Sequence, residues 1–403
     1  MNITVTVNTF PSISQTFILN QITGILDRDH SVKIIAHSKE NEQLVHPVIR
    51  EYDLLDRTTH YNLPFDQGYV TTVYSLIKVF LNHSYKYPRG FAQIALDLPK
   101  KPVRTAGRIF RSVPFIFSQQ DIVHAHFGIV GRQMADLKHY GFFDDPLIIS
   151  IHGVGIREGR RKGPKIYNRM FETADLLLAN SESTHRELIE FGAPKNKTKL
   201  HRIGIDISKF NYAPPTRDES SDKIVILSVG RLSPEKGHDV GIRALANIFE
   251  SNPDLNLEYK IIGHGPLRGE LESLVKRLDL GEVVHFCGEM QHDHVRQQMQ
   301  TADLFLHPSR SEGLGKVLLE AQACGLPIIA TNAGGIPEAV RPCKSAYLAP
   351  PDDPGGLAET LLTVIQSPDS WRKMSIQGRK HVESKFDNRV LNDQLVDYYK
   401  SMC

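Results

Sequence analysis

The chain has 403 residues, of which 40% are hydrophobic and 23% are charged, and its formal net charge is +2. This length predicts two domains with large buried cores, and the composition is that of an ordinary soluble globular protein. The near-neutral charge gives no general argument for nucleic acid or an anionic membrane as a partner.

The first residues, MNITVTV, are typical of a strand rather than of a signal peptide. No apolar run approaches the roughly 20 residues needed to span a bilayer. The four cysteines are scattered without paired spacing, which favours a reducing compartment over a disulfide framework or a zinc site. These features predict a cytoplasmic protein, or one that is peripheral on the cytosolic face of the inner membrane.

Strand-like runs alternate with helical ones through the first half of the chain. The strands are predicted at 3–7, 32–36, 122–125, 147–151, 176–179 and 199–202. This β-α-β order is typical of a doubly wound parallel sheet. A polar, proline-bearing stretch at 211–222 then predicts the linker between two domains.

Two basic clusters lie in this half. Basic and aromatic side chains are mixed across 86–115, and such a segment could rest on anionic lipid headgroups, although a solvated helix face is the commoner use. The second cluster, 157–165, follows His152 and is a candidate to meet an acceptor pyrophosphate. His152 ends the strand 147–151 and is followed by glycines, which is a position for a catalytic side chain; a structural role is the alternative.

The β-α-β order restarts with the apolar run 224–231, which is typical of a buried parallel strand. Further strands are predicted at 257–262, 283–286, 304–307, 327–331 and 346–348. The run 224–231 leads into a short strand-to-helix loop, RLSPEKG, with Arg231 and Lys236 near its two ends. Two fixed cations there could hold a diphosphate and stabilise its charge as it leaves, with a solvated loop as the alternative.

The segment EGLGKVLLE at 312–320 is the most informative of the chain. Its glycines lack the Cβ atoms that would keep a ligand from backbone N–H groups, and a helix beginning near Lys316 would point its positive dipole end at an anion. Glu312 can accept hydrogen bonds from sugar hydroxyls, and Glu320 from a vicinal diol such as a ribose. Together these groups describe a nucleotide-sugar site, with a surface helix that carries two solvated glutamates as the alternative. The cations of the loop at 231–237 favour the nucleotide-sugar site.

Three other patterns carry less weight. The glycine run 263–269, with Glu289 downstream, approaches a dinucleotide fingerprint, but it lies in a later turn than the fingerprint requires. The histidines of 292–294 have metal-like composition without partner ligands. The Asp-x-Asp pair at 27–29 ends a predicted helix with no strand before it, so no metal site is predicted.

The chain resembles the retaining glycosyltransferases of the GT-B fold, the group with an E-x7-E signature in glycosyltransferase family 4, group 1. The matching motifs are GRLSPEKG at 230–237, IIGHGPL at 261–267, EGLGKVLLE at 312–320 and GLPIIATNAGGIPE at 325–338. In the first half, FPSISQTFILN at 10–20 is similar to the colanic acid and exopolysaccharide branch. The resemblance implies an α/β fold of two doubly wound Rossmann-like domains that face a central cleft.

The resemblance also implies a role for each domain. Residues 1–210 would form the acceptor-binding domain and 211–385 the nucleotide-sugar donor-binding domain. The C-terminal helix, 386–403, would pack back on the first domain.

The loop after the first strand, TFPSISQTF, has no glycine but is rich in hydroxyls. Ser12, Ser14 and Thr16 could orient an acceptor sugar, although Ser14 or Thr16 could equally cap the helix that follows. His124 and His126 also end a strand. Their spacing could bind a metal in principle, but we favour a structural or acceptor-side role.

The residues implied to act on the donor lie in both halves. Those implied to be catalytic are His152, Arg231, Lys236 and Glu312. The implied donor-binding set is Gly230, Gly263, Met290, Gly313, Leu314, Gly315, Lys316, Val317 and Glu320. The arginine, the lysine and the helix N-terminus would replace a metal, so no cofactor and no divalent metal are expected.

The resemblance therefore implies a retaining, metal-independent hexosyltransferase. It would move a hexose from UDP-glucose or UDP-galactose to a lipid-linked oligosaccharide in exopolysaccharide biosynthesis. The alternatives are a GDP-mannose-dependent mannosyltransferase, a GT-B epimerase or nucleotide-sugar hydrolase, and a non-catalytic nucleotide-sugar-binding scaffold. The expected partners are the donor, a lipid-linked or oligosaccharide acceptor and an anionic membrane surface, with no nucleic acid.

Overall fold

The computed structural model describes residues 1–12, 16–39, 47–61, 119–215 and 223–403, together with single positions between 88 and 115. The chain divides into two compact units. The first comprises Met1–Arg202 and Asn392–Cys403, and the second comprises Ile203–Leu391. Each unit is an α/β assembly built on one parallel sheet.

The first unit is built on a parallel sheet in which the carboxyl ends of the strands meet at one edge. Within the described residues its strands are β1 (Asn2–Thr9), β2 (Ser31–Ser38), β3 (Thr58–His60), β4 (Ile122–His126), β5 (Leu147–Ile151), β6 (Leu176–Ala179) and β7 (Thr198–Leu200). They lie in the order β3-β2-β1-β4-β5-β6-β7, and their pairings are parallel. The order reverses between β1 and β4, and open α/β sheets bind ligands at the carboxyl ends of the strands beside such a reversal.

Helices connect these strands and cover the sheet. In the described part of this unit they are α1 (Thr16–Leu26), α2 (Pro47–Glu51), α3 (Gly128–His139), α4 (Gly153–Lys162), α5 (Asn168–Thr173) and α6 (Glu182–Glu190). Every residue of β5 is buried, as are those of β4 and β6. Helices that cover both faces of a parallel sheet leave its central strands no solvent-facing side, which is why these strands are mostly apolar. The exceptions in β4, His124 and His126, are buried with them.

The second unit repeats the design. Its strands, within the described residues, are β8 (Ile224–Val229), β9 (Leu257–Ile262), β10 (Val284–Gly288), β11 (Leu304–His307), β12 (Ile328–Thr331) and β13 (Ala346–Ala349). They are parallel and lie in the order β10-β9-β8-β11-β12-β13, so the reversal falls between β8 and β11. Both units therefore have the doubly wound, Rossmann-like arrangement that the sequence predicts.

The remaining helices follow in chain order. They are α7 (His238–Ser251), α8 (Arg268–Arg277), α9 (His292–Thr301), α10 (Lys316–Cys324), α11 (Ile336–Ala339), α12 (Pro354–Ile365), α13 (Trp371–Lys385) and α14 (Asn388–Lys400). The last turns of α14 complete the core of the first unit. Leu395, Val396 and Tyr399 are buried there in one apolar cluster with Leu178 of β6.

The boundary between the units lies earlier than the predicted boundary after residue 210. Residues 203–210 belong to the second unit because Ile205 forms a parallel bridge with Asp387, and because Ile207 and Phe210 pack in an apolar cluster with Phe386. The proline-bearing stretch predicted as a linker is described as far as residue 215, and this part also belongs to the second unit; 216–222 lie outside the described residues.

Most of the basic and aromatic segment 86–115 lies outside the described residues. In the described part of the chain, no helix combines the length and apolar character needed to cross a membrane.

Candidate active site

The polar residues predicted in the second half converge on one cavity of about 650 Å³. Its walls come from the loops that follow β8, β9, β10 and β11 and from residues of α9 and α10. These loops leave the carboxyl ends of parallel strands, next to the reversal between β8 and β11. The cavity therefore lies where a doubly wound sheet binds its ligand.

Glu312 is the centre of a small hydrogen-bonded cluster in this cavity. Its Oε2 atom accepts a hydrogen bond from Lys236 Nζ and one from His307 Nε2, the latter at 3.1 Å. Burial alone would raise the pKa of Glu312, but the hydrogen bond from His307 and the charge of Lys236 outweigh it and lower the pKa to about 2. The carboxylate is therefore ionised at physiological pH and can accept hydrogen bonds from ligand hydroxyls.

Lys236 links two loops predicted for this site, because it follows β8 and bonds a residue that follows β11. An ammonium group has three donors, and Glu312 takes one of them. Arg231 opens the same loop, is exposed and lines the cavity. The loop thus presents two cationic side chains to a ligand.

The N-terminus of α10 opens at the cavity. Gly315 precedes the helix with a left-handed backbone, φ 79°, and no side chain caps the helix. A Cβ on Gly315 would lie 2.9 Å from Leu318 Cδ1, so both the backbone and the packing favour glycine. The positive end of the helix dipole is left for an anion, and Lys316 adds a full charge beside it.

Glu320 lies one turn further along α10 and is buried. Burial raises its pKa, and the neighbouring Lys316 offsets part of that effect. Lys316 Nζ lies 3.7 Å from Glu320 Oε1. The second glutamate of the motif is thus held on the cavity wall by the first residue of its own helix.

The loops after β8 and β9 touch through glycines. A Cβ on Gly263 would lie 1.9 Å from the carbonyl oxygen of Gly230, and Gly263 has φ 150°. No larger residue fits there without a backbone shift. This contact brings the two loops together at the cavity.

His152, the predicted catalytic residue of the first unit, follows β5 and is the N-cap residue of α4. Its ring contacts Phe17 and Phe127, with centroids 4.8 and 4.9 Å away, and stacks on His126 at 5.9 Å. Neither ring nitrogen has a hydrogen-bond partner among the described residues. Burial, with a smaller effect of His201, lowers the pKa of His152 to about 3, so the neutral ring has one donor and one acceptor for a ligand.

His124 has structural partners instead. Its Nδ1 atom lies 2.6 Å from the hydroxyl of Tyr399 in α14, and its Nε2 atom lies 2.8 Å from the hydroxyl of Ser150 in β5. The His126 ring lies between those of His124 and His152. It is tilted against His124, with centroids 4.4 Å apart, and stacked on His152, with centroids 5.9 Å apart. His124 thus joins the C-terminal helix to the sheet.

The predicted acceptor residues are only partly described. Ser12, in the loop after β1, is buried. Thr16 is the first residue of α1, but its side chain lies outside the described residues, as does Ser14.

Most of the predicted donor residues line the cavity. They are Gly230, Arg231, Lys236, Gly263, Met290, Glu312, Gly315, Lys316, Val317 and Glu320. Gly313 and Leu314 are not among the lining residues, and the side chain of Leu314 is buried in an apolar cluster, which leaves only its backbone for a ligand. Leu314 packs inward because the turn before α10 closes over the core.

Sequence reasoning did not assign several residues of this site. Val229, Ile262, His264, Glu289, His292 and Val295 also line the cavity. His307, the partner of Glu312, was not singled out, although a histidine at the end of a predicted strand was an available signal. Among the described residues, no group of three or more His, Cys, Asp or Glu side chains could hold a metal ion.

Comparisons with known proteins agree with this geometry. The model of Glycosyltransferase Family 4 matches residues 14–209, and that of Glycosyl transferases group 1 matches residues 214–381. The amylovoran biosynthesis glycosyltransferase AmsK of Erwinia amylovora is 30% identical, over 98% of each chain. WcaL of Escherichia coli (strain K12), named as a colanic acid biosynthesis glycosyltransferase, is 29% identical, again over 98% of each chain.

A solved structure has the same fold. HepE of Anabaena, crystallised with UDP and glucose, matches with a TM-score of 0.70 at 19% identity, over 100% of both chains. At this identity the likeness concerns the fold alone. The family matches and the whole-length relatives go further: the chain belongs to the group 1 and Family 4 glycosyltransferases of GT-B fold, on the branch that includes AmsK and WcaL.

Proposed function

We propose that the protein is a retaining, metal-independent hexosyltransferase that moves glucose or galactose from a UDP-sugar to a lipid-linked oligosaccharide in exopolysaccharide biosynthesis. The observation that carries the proposal is the cavity of the second unit, where an uncapped helix N-terminus, cationic side chains and two carboxylates meet. The names of AmsK and WcaL support the exopolysaccharide, and the UDP and glucose bound by HepE support the donor.

The groups of the cavity divide by the part of the donor that each suits. The N-terminus of α10, Lys316 and Arg231 suit the diphosphate, since they are the cationic groups that line the cavity without a bond to Glu312. Glu320 suits the ribose diol, and Glu312 suits the hydroxyls of the transferred sugar. Lys236 keeps Glu312 ionised and has donors left for the leaving phosphate.

The proposed reaction needs no group beyond these. The acceptor hydroxyl oxygen forms a bond to the anomeric carbon as the bond from that carbon to the β-phosphate oxygen breaks. The same β-phosphate oxygen takes the hydroxyl proton, and UDP leaves from the face on which the acceptor enters, which retains the configuration. Arg231 and the helix N-terminus stabilise the charge that develops on the diphosphate. We assign His152 a hydrogen bond to a substrate hydroxyl, because its neutral ring has both nitrogens unpartnered among the described residues.

The test begins with thermal stabilisation of the purified protein by UDP, GDP, ADP and UDP-sugars, with and without magnesium. A ligand that binds only the folded state at 100 times its Kd adds about 2.7 kcal/mol, which is easily measured. We expect stabilisation by UDP that does not depend on magnesium and that Glu320→Gln weakens. Glu282→Gln, at an exposed position outside the cavity, is the matched control.

Product analysis completes the test. Transfer to a lipid-linked acceptor with retained configuration supports the proposal, and stabilisation by GDP alone would replace the donor with a GDP-sugar. Turnover of the donor without any acceptor would identify a hydrolase or epimerase, and binding without turnover a scaffold. No stabilisation by any nucleotide would refute the donor site.

A further inference from the structure

A second cavity, of about 580 Å³, lies within the first unit. Asn8 of β1, Phe127 after β4 and Gly155 in the first turn of α4 line it. It therefore lies at the carboxyl ends of the strands beside the reversal between β1 and β4, the place where a doubly wound sheet binds a ligand. The donor cavity has the corresponding position in the other unit.

Two arginines on one face of α4 line this cavity. Arg157 and Arg161 are one helical turn apart and exposed, and neither bonds or pairs with a described residue. Two other cations nearby share one carboxylate. Glu158 pairs with Lys162 at 2.8 Å and with Arg132 at 2.9 Å. The cavity thus has an excess of positive charge, to which the two unpaired arginines contribute.

Arg160, between them in sequence, is paired and lies away from the cavity. Its guanidinium lies 2.6 Å from a carboxylate oxygen of Glu187, and it does not line the cavity. The arginines of α4 therefore lie on two faces of the helix. Arg160 forms an ion pair with α6, and Arg157 and Arg161 line the cavity.

The wall beside the arginines is apolar and ends at another helix N-terminus. Phe127 and Ile129 line the cavity, and Ile129 is 44% exposed. Phe127 precedes α3, which no side chain caps, so the positive end of this helix dipole adds to the charge of the arginines. A ligand that suits both surfaces is an anion joined to an apolar chain. Phe127 also contacts the His152 ring, so the cavity adjoins the predicted catalytic histidine.

We propose that this cavity binds the diphosphate that joins the acceptor sugar to its lipid, with Arg157 and Arg161 as its ligands and Phe127 and Ile129 against the first part of the lipid chain. This assignment rests on the proposed transferase function and names the group by which the acceptor is recognised. A phosphate of a bilayer phospholipid shares part of this chemistry, and the experiment separates the two sources.

The direct test is the binding of farnesyl diphosphate to the full chain, measured by calorimetry with saturating UDP present to occupy the donor cavity. Losing one charged contact costs roughly tenfold, so the double variant Arg157→Gln/Arg161→Gln should bind roughly a hundredfold more weakly than the wild type. Arg160→Gln is the matched control and should bind as the wild type does. Farnesol, which lacks the anion, should bind none of the three proteins measurably.

Two further readouts keep the outcome clear. UDP should stabilise all three proteins equally, which shows that the double variant is folded with an intact donor site. In the transfer assay, the double variant should have a raised KM for a lipid-diphosphate-linked acceptor and an unchanged kcat.

Unchanged affinity of the double variant for farnesyl diphosphate overturns this inference alone. The inference is also overturned if the double variant binds phosphatidylglycerol vesicles, relative to phosphatidylcholine vesicles, more weakly than the wild type but binds farnesyl diphosphate with unchanged affinity. The arginines would then bind membrane headgroups. A wild-type protein that binds UDP but transfers no sugar to any acceptor refutes the proposed function instead.

Discussion

The charge of Glu312 should stabilise the protein in a pH-dependent way. Its pKa falls from an ordinary value of 4.5 to about 2, because the hydrogen bond from His307 and the charge of Lys236 outweigh burial. A shift of this size corresponds to about 3 kcal/mol, at roughly 1.4 kcal/mol per pKa unit. Since the folded-state pKa is depressed, this stabilisation is complete above pH 4.5 and is lost as the pH falls toward 2. Glu312→Gln keeps the shape and removes the charge, so it should lower the free energy of unfolding at pH 7 by about 3 kcal/mol.

The measurement is urea unfolding of both proteins at pH 7 and pH 3.5, followed by circular dichroism. The difference in unfolding free energy between wild type and Glu312→Gln should be roughly 1.4 kcal/mol smaller at pH 3.5 than at pH 7. The reason is that the unfolded wild type takes up a proton at pH 3.5 that the folded protein does not. Glu250→Gln, at an exposed position of α7, should change stability by less than about 0.5 kcal/mol. A difference that is the same at both pH values would show that Lys236 and His307 do not hold Glu312 ionised, and the reasoning would fail.

The other predictions concern ligands, a buried histidine and a glycine. Arg231→Ala should lower kcat by roughly 10²–10³, the size of one lost transition-state donor, and full turnover in steady-state assays would contradict its role. Glu320→Gln should weaken UDP binding by about tenfold in calorimetry, at about 1.4 kcal/mol for a lost hydrogen bond to a charged group. The pKa of His152 is lowered to about 3, so below pH 6.5 the unfolded wild type takes up a proton that the folded protein does not. From pH 7.5 to pH 5 the wild type should therefore lose roughly 2 kcal/mol of unfolding free energy that His152→Gln keeps. Gly263→Ala should destabilise the protein by about 2 kcal/mol or more, because its Cβ would lie 1.9 Å from a carbonyl oxygen. Gly269→Ala, in the first turn of α8, meets nothing within 4 Å and should raise the melting temperature slightly or leave it unchanged.

The buried strands could be predicted from the sequence because burial on both faces favours apolar residues along most of each strand. The runs at 147–151 and 304–307 predict strands, and the structure has Leu147–Ile151 and Leu304–His307. Strand β3, Thr58–His60, gives no such signal. It is short and polar, with Thr59 exposed, and among the described strands it lies at the edge of the sheet beside β2.

The sequence predicts which loops form the site, from the residue types within each loop, but not which residues of different loops pair with each other. The glycines and glutamates of 312–320, taken with the cations of the loop at 231–237, indicate a nucleotide-sugar site. The bond from Lys236 to Glu312 joins residues 76 positions apart, and it depends on β8 lying beside β11. Strand order cannot be read from apolar runs, so the pairing of these two site residues, and the part of His307 in it, had to come from the structure.

The division of the chain has a consequence for how the protein is made. The second unit is continuous, from Ile203 to Leu391, whereas the first needs Asn392–Cys403 for Tyr399 to reach His124. At roughly 5–20 residues per second, a ribosome needs on the order of ten to forty seconds to make the intervening unit. During that time the earlier-made half exposes the apolar surface that α14 will cover. The half that is translated first is therefore the half that finishes folding last, and a nascent chain stalled before α14 should depend on chaperones.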